Sequence, residues 1–328
     1  GRRSVWSDPR LIEISKNFIP TTDEVWRLQG VKDNDASLFQ EMADKGHYRR
    51  VGGSRQGIYV CSANGSLLSS VNSLDPDVVL ETIKTGLAKW EELPRSDRQL
   101  PDNFSPRASH RWEDSYPEDG LVLKGAKADL LTDPPKLSER GDRWNMDHVW
   151  FSKDEMNLWL PDKYDIGTTH ECPQVIKDRL FRFHLVDNVR GQTLPFAAEE
   201  IKDAELSIEV TENNSSFVTL KITGSSKAVA RGQWLLGEND WTPDHELDHS
   251  IETDMIGNAI YNTVTKNFIE FEMVALAEWS GKTQNNGRRF GPDTGKIGMV
   301  YNLAEKRSNN KIAPAFVDLY NAEWIQHP

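Results

Sequence analysis

A chain of 328 residues with 37% hydrophobic and 27% charged residues has enough apolar mass for packed cores, and its length suggests about two domains, so wholesale disorder is excluded. A formal net charge of −12 without a long basic run argues against a nucleic-acid partner, because an acidic surface repels phosphate backbones. No stretch approaches the ~20 apolar residues of a membrane-spanning helix.

The chain begins Gly-Arg-Arg, which raises the expectation of a secreted or periplasmic protein whose leader has been removed. Residues 1–93 are predicted as one α/β unit. In WSDPRLIEISKNFIP, Ser7 or Asp8 caps a helix, Pro9 sits in its first turn, and a short strand follows near Phe18. ASLFQEMADKGH predicts a second helix. QGIYVCSANGSLLSSV predicts a hairpin with arms Ile58–Cys61 and Leu67–Val71, and Asn64-Gly65 suits a type I′ turn between them. DPDVVLETIKTGLAKW predicts a helix capped by Asp75 and opened by Pro76, with Leu80, Ile83, Leu87 and Trp90 as its apolar stripe. Residues 94–119 are polar and rich in Pro, Arg, Asp and Ser, the composition of a linker.

Residues 120–328 are predicted to form a mainly antiparallel β domain with short helical insertions, which makes the whole chain α+β. Leu206, Ile208 and Val210 alternate with polar residues, as do Val218, Leu220 and Ile222. A second hairpin turns near Lys266-Asn267, and IGMVYNLA adds a strand. Ser152 and Glu155 form a capping box for one inserted helix, and Pro173 opens another.

The order strand, helix, hairpin, helix in the N-terminal unit resembles a thioredoxin-like fold. FQEMADKGHY, RQGIYVCSANGSLLSSVN, WNMDHVWFSKDEM and RFHLVDNVRGQT make nearly the whole chain resemble a family of secreted bacterial proteins of unassigned function, with a thioredoxin-like front and a β-rich back. That resemblance implies a fold and no mechanism. FIPTTDEVW carries no cysteine where a redox pair would sit, and Arg55-Gln56-Gly57 stands where the cis-proline of thioredoxins would precede the hairpin. The two cysteines, Cys61 and Cys172, form no C-x-x-C, so thiol–disulfide exchange is not expected. One disulfide between them is permitted and not required.

Three places hold residues of the right type for a site. RWNMDHVWFSKDE offers Trp144, Asp147, His148 and Trp150, aromatic rings beside charged groups, as in ligand pockets. RFHLVDNVRGQT offers His184 in the last turn of a helix, then Asp187, Asn188, Arg190 and Gln192 between apolar neighbours, where they must find internal or ligand partners. A glycine-rich loop with Arg49, Arg50 and Arg55 could hold an anion. These residues lead to the expectation of a non-redox protein that binds a small-molecule or protein ligand in its C-terminal domain, with no cofactor demanded.

The alternative is a hydrolase that depends on a divalent metal, zinc. HELDH at 245–249 spells H-E-x-x-H, which on a helix turns both imidazoles towards one ion while the glutamate polarises its water. Here Pro243 and Asp244 precede it, Asp248 lies within it and a strand-like run follows, so His245, Glu246 and His249 are expected in an acidic loop. His148, His170 and His184 are the second possible zinc set.

Overall fold

A computed structural model describes residues 5–6, 8–21, 25–30, 32, 34–48, 54–99, 116–130, 144–191, 193, 195–232, 247–283, 286–288, 292–305 and 312–314. The chain folds as two compact units, Gly1–Ser109 and His110–Pro328, and combines helices with a large antiparallel sheet.

In the N-terminal unit, α1 (Pro9–Ser15) is capped by Asp8, whose Oδ1 accepts the Arg10 N–H at 2.8 Å. The strand expected near Phe18 is not formed. The helix instead unwinds through turns, with the Asn17 and Phe18 amides donating to the Ile14 and Ser15 carbonyls, and Ile19 points into solvent. Two further helices, α2 (Val25–Gly30) and α3 (Asn34–Asp44), precede the hairpin β1 (Ile58–Cys61) and β2 (Leu67–Val71). Its loop is longer than a two-residue type I′ turn. Gly65 takes φ +86° while Asn64 stays at negative φ, and the Asn64 Oδ1 accepts from the Ser62 hydroxyl and the Ser66 amide. The long helix α4 (Pro76–Glu92) has the expected Asp75 cap, and Val79, Leu80 and Ile83 pack on Val60 and Leu68 of the hairpin. Trp90 lies outside this core, beneath the guanidinium of Arg98 from the short helix α5 (Arg95–Arg98), 4.8 Å from its ring centre.

The C-terminal unit is built on one eight-stranded sheet. Its strands are β3 (Leu121–Leu130), β4 (Trp144–Phe151), β5 (Thr169–Glu171), β6 (Ile201–Asn213), β7 (Phe217–Gly232), β8 (Leu247–Asn262), β9 (Asn267–Gly281) and β10 (Thr294–Leu303). They run β4-β3-β10-β9-β8-β7-β6-β5, every neighbour antiparallel. The chain leaves the sheet at one edge, β4, and re-enters at the other, β5. The rest of residues 152–200 includes α6 (Lys153–Asn157), α7 (Gln174–Asp178) and a π-helical turn Arg179–His184, which pack on β4, β6 and β7.

Alternation along the strands divides the sheet into two faces. Leu206, Ile208, Leu220, Ile222, Met273, Ile297 and Met299 point inward to the core under the inserted segment. Between them, Trp159 meets Phe151 and Phe271 edge-on at 5.5 and 5.3 Å. The opposite face turns outward.

Candidate functional site

Two charged residues of β3, Lys127 and Asp129, break the apolar alternation on the inner face, and polar clusters are built around them. Lys127 is completely buried, and its three ammonium protons each have a direction to go: the His184 carbonyl, the Asn188 Oδ1 at 3.0 Å and the Asp147 carboxylate at 3.5 Å. Asp147, across on β4, accepts the His148 backbone amide at 2.8 Å and the His184 Nδ1–H at 2.8 Å. The Tyr301 hydroxyl donates to the His184 carbonyl at 2.9 Å, and the Asn145 side-chain amide donates to the Asn188 carbonyl at 2.8 Å.

Burial alone would push the Asp147 carboxyl up, but His184, Lys127 and the bonds they make hold it well below the usual carboxylate range. Burial pulls His184 and Lys127 down, with Asp147 opposing in both cases. The arrangement that satisfies all three is an ammonium beside a carboxylate, with a neutral imidazole giving its Nδ1 proton to that carboxylate. His184 does end a helical turn, where a cation would be welcome, but its environment is too dry to keep a second proton.

A second cluster lies on the same side of the sheet. Arg288 grips Asp187 through Nε and Nη2 at 2.8 and 2.6 Å and Asp129 through Nη1 and Nη2 at 3.1 and 2.8 Å. Its guanidinium lies 3.9 Å from the centre of the Trp279 ring, and Arg190 adds a bond to Asp129 at 2.6 Å. Two arginines face two aspartates, so this cluster is neutral as it stands. Both clusters tie β3 to the loop that follows the π-helical turn, and the first also takes in β4.

The residues expected to share one pocket do not share one. Asp147, His184, Asp187, Asn188 and Arg190 belong to the inner clusters. His148 and Trp150, one residue out of phase on β4, point the other way. There Tyr116 covers Trp150 edge-on at 5.1 Å, and the Trp150 indole donates to the Ile312 carbonyl at 3.1 Å. Trp144 begins β4. Gln192, His245 and Glu246 lie outside the described residues, as do Arg49 and Arg50. Arg55 is engaged by Asp44 at 2.7 and 3.2 Å.

The H-E-x-x-H segment is not wholly a loop. Leu247, Asp248 and His249 already belong to β8, where His249 stacks on Phe196 at 5.2 Å and burial lowers its pKa. A strand places successive side chains on opposite faces, so this end of the motif lacks the helical geometry that the zinc reading assumes. His148 and His170 stand on β4 and β5, the two opposite edges of the sheet, and His170 bonds the Leu158 carbonyl at 2.9 Å. Among the described residues, no three His, Cys, Asp or Glu side chains gather as a metal-ligand set.

Sequence reasoning missed Lys127, Asp129, Asn145, Arg288 and Tyr301. A signal existed for the first two: Leu121, Leu123, Lys127 and Asp129 share one strand face, and two charges on an apolar face need buried partners.

It also missed the outward face of the sheet. Register partners there form a continuous apolar row, Met146–Ala126–Val300–Val274–Ile256, crossing five strands over about 19 Å at the usual strand spacing. Leu276 widens it in the next row. Ile256, Val274 and Leu276 are 66%, 45% and 42% exposed, although their inward neighbours on β8 and β9 are buried. A groove of 550 Å³ lies against this row, with Thr223, Gly224 and Ser225 as its floor and Ile256, Val274 and Leu276 along one wall. No protein family, curated protein or solved structure matches the chain.

Proposed function

We propose that this is a non-redox binding protein whose ligand docks on the outward face of the C-terminal sheet. The observation that carries the reading is the apolar row with its groove. Single exposed hydrophobics are ordinary on a protein surface, but a connected row beside a concavity marks an interaction site. The inner polar clusters then act as the frame: they are buried, charge-balanced and mutually bonded, which suits holding a sheet rigid rather than receiving a solute.

For the N-terminal unit we propose a thioredoxin-like module without redox chemistry. Its helix–hairpin–helix order supports this reading, and burial pushes the Cys61 thiol up to about 11, far from the thiolate that exchange requires.

Titration with the neutral dye Nile red tests the outward face. Fluorescence should rise with the native protein, and Ile256→Asp should abolish the rise while Lys296→Ala keeps it. Equal enhancement in both variants, at unchanged melting temperature, would overturn the assignment of this face.

A further inference from the structure

The charges around the groove point to the kind of ligand, an inference that rests on the binding role proposed above. The outward residues of β8 and β9 include Glu252, Asp254, Glu270, Glu272 and Glu278 and no lysine or arginine. Two of these carboxylates are neutralised from neighbouring strands, Glu252 by Lys227 at 3.1 Å and Glu278 by Lys296 at 2.6 Å. Asp254 and, on β6, Glu205 have no ion pair among the described residues, and both line the groove.

Their placement is specific. Glu205 pairs with Ser225, and Ser225 pairs with Asp254, so the two carboxylates flank one short side chain in a single row. Two strand spacings put their backbones about 10 Å apart, with only a serine hydroxyl between them. That gap fits an ammonium or guanidinium group. Asp254 is also the register partner of Leu276, and the next row holds Ile256 beside Val274. A cation seated over Ser225 would therefore have its apolar body directed along the hydrophobic wall. In the neighbouring row the Ser207 and Thr223 hydroxyls bond each other at 2.9 Å, and Lys227, on the other side of Ser225, is engaged by Glu252.

We propose that the groove binds an amphipathic cation: a positive head between Glu205 and Asp254, and an apolar body against Ile256, Val274 and Leu276. A second copy of this chain is the less suitable occupant, because two such faces laid together would bring uncompensated carboxylates of β8 and β9 against their own kind. The overall charge of −12 also favours a cationic partner.

The test uses three probes with one tail, decyltrimethylammonium, decyl maltoside and decyl sulfate, each titrated calorimetrically below the concentration at which it forms micelles. The ammonium should bind roughly five- to tenfold more tightly than the maltoside, the scale of two partly exposed charge contacts, and the sulfate more weakly than either. The preference should shrink at high salt and vanish in the Glu205→Gln/Asp254→Asn double variant, with maltoside binding unchanged. Equal binding of ammonium and maltoside, or a preference that survives the double variant, would overturn the cation assignment while leaving an apolar binding face. Binding of none of the three would overturn the binding role itself.

Discussion

Gly125 of β3 stands opposite Tyr301 of β10, and the hydrogen in place of a side chain is the space that the phenol ring occupies. A Cβ at position 125 would lie 2.5 Å from the Tyr301 ring, closer than atoms can approach. The ring is fully buried and its hydroxyl is bonded to the His184 carbonyl, so it cannot swing aside. Gly125→Ala should therefore destabilise the C-terminal unit by about 1–3 kcal/mol, the usual cost of overpacking. Chemical unfolding measures this, and a variant as stable as the parent would show that β3 and β10 can separate without loss.

The Lys127–Asp147 pair gives a sharper test. Lys127→Met leaves a carboxylate in the core without its counter-charge and should cost about 3–5 kcal/mol. The double variant Lys127→Met/Asp147→Asn should recover part of that loss, because a neutral amide can still accept from His184. A double variant less stable than Lys127→Met alone would contradict the pairing.

Acid sensitivity follows from the buried histidines. His148, His184 and His249 all have pKa values lowered by burial. The unfolded chain takes up protons near pH ~6.5 that the folded chain refuses, so stability is full above that pH and falls as pH drops through it. Each histidine steepens the fall by up to ~1.4 kcal/mol per pH unit. Melting curves between about pH 8 and 5 should show the decline, and it should be shallower in His184→Asn, which keeps a donor for Asp147 and loses the titrating ring. A flat profile would mean that these rings protonate freely in the fold.

Neither thiol should react quickly in the folded protein. Cys61 and Cys172 are free, and burial pushes their thiols up to about 11 and about 12. Ellman's reagent should modify them only slowly under native conditions and both at once in denaturant. A fast native phase would identify an exposed thiolate.

Much of the architecture is legible from local pattern. The Asp75 cap and Pro76 fix the start of α4, Ser152 and Glu155 make the expected capping box, and the alternation of β6 and β7 gives their faces. Signals of this kind work because their causes lie within a few residues. The strand expected near Phe18 fails for a related reason: an apolar residue near a helix end is equally compatible with a turn. The site is less legible. Asp147 and His184 stand out by residue type, and they do meet, but Lys127 and Arg288 lie 57 and 101 residues along the chain from their respective partners His184 and Asp187. The outward apolar row has members on five strands, so no single segment contains enough of it to stand out. Only register brings Val300, Val274 and Ile256 side by side.

Asp129 and Arg288 are separated by 159 residues of chain, and the fastening between them needs the last portion of the sheet to be in place. β3 emerges early yet has β10 as one of its two neighbours, so during synthesis it waits, with Asp129 still lacking Arg288, until nearly the entire unit has been made. Contacts so remote are expensive to close, which makes assembly of this unit slow and all-or-none compared with the local helix–hairpin packing at the front of the chain. Truncation at the C-terminal end should thus undo the polar interior first, even though every residue that makes up Lys127's immediate surroundings on β4 would still be present.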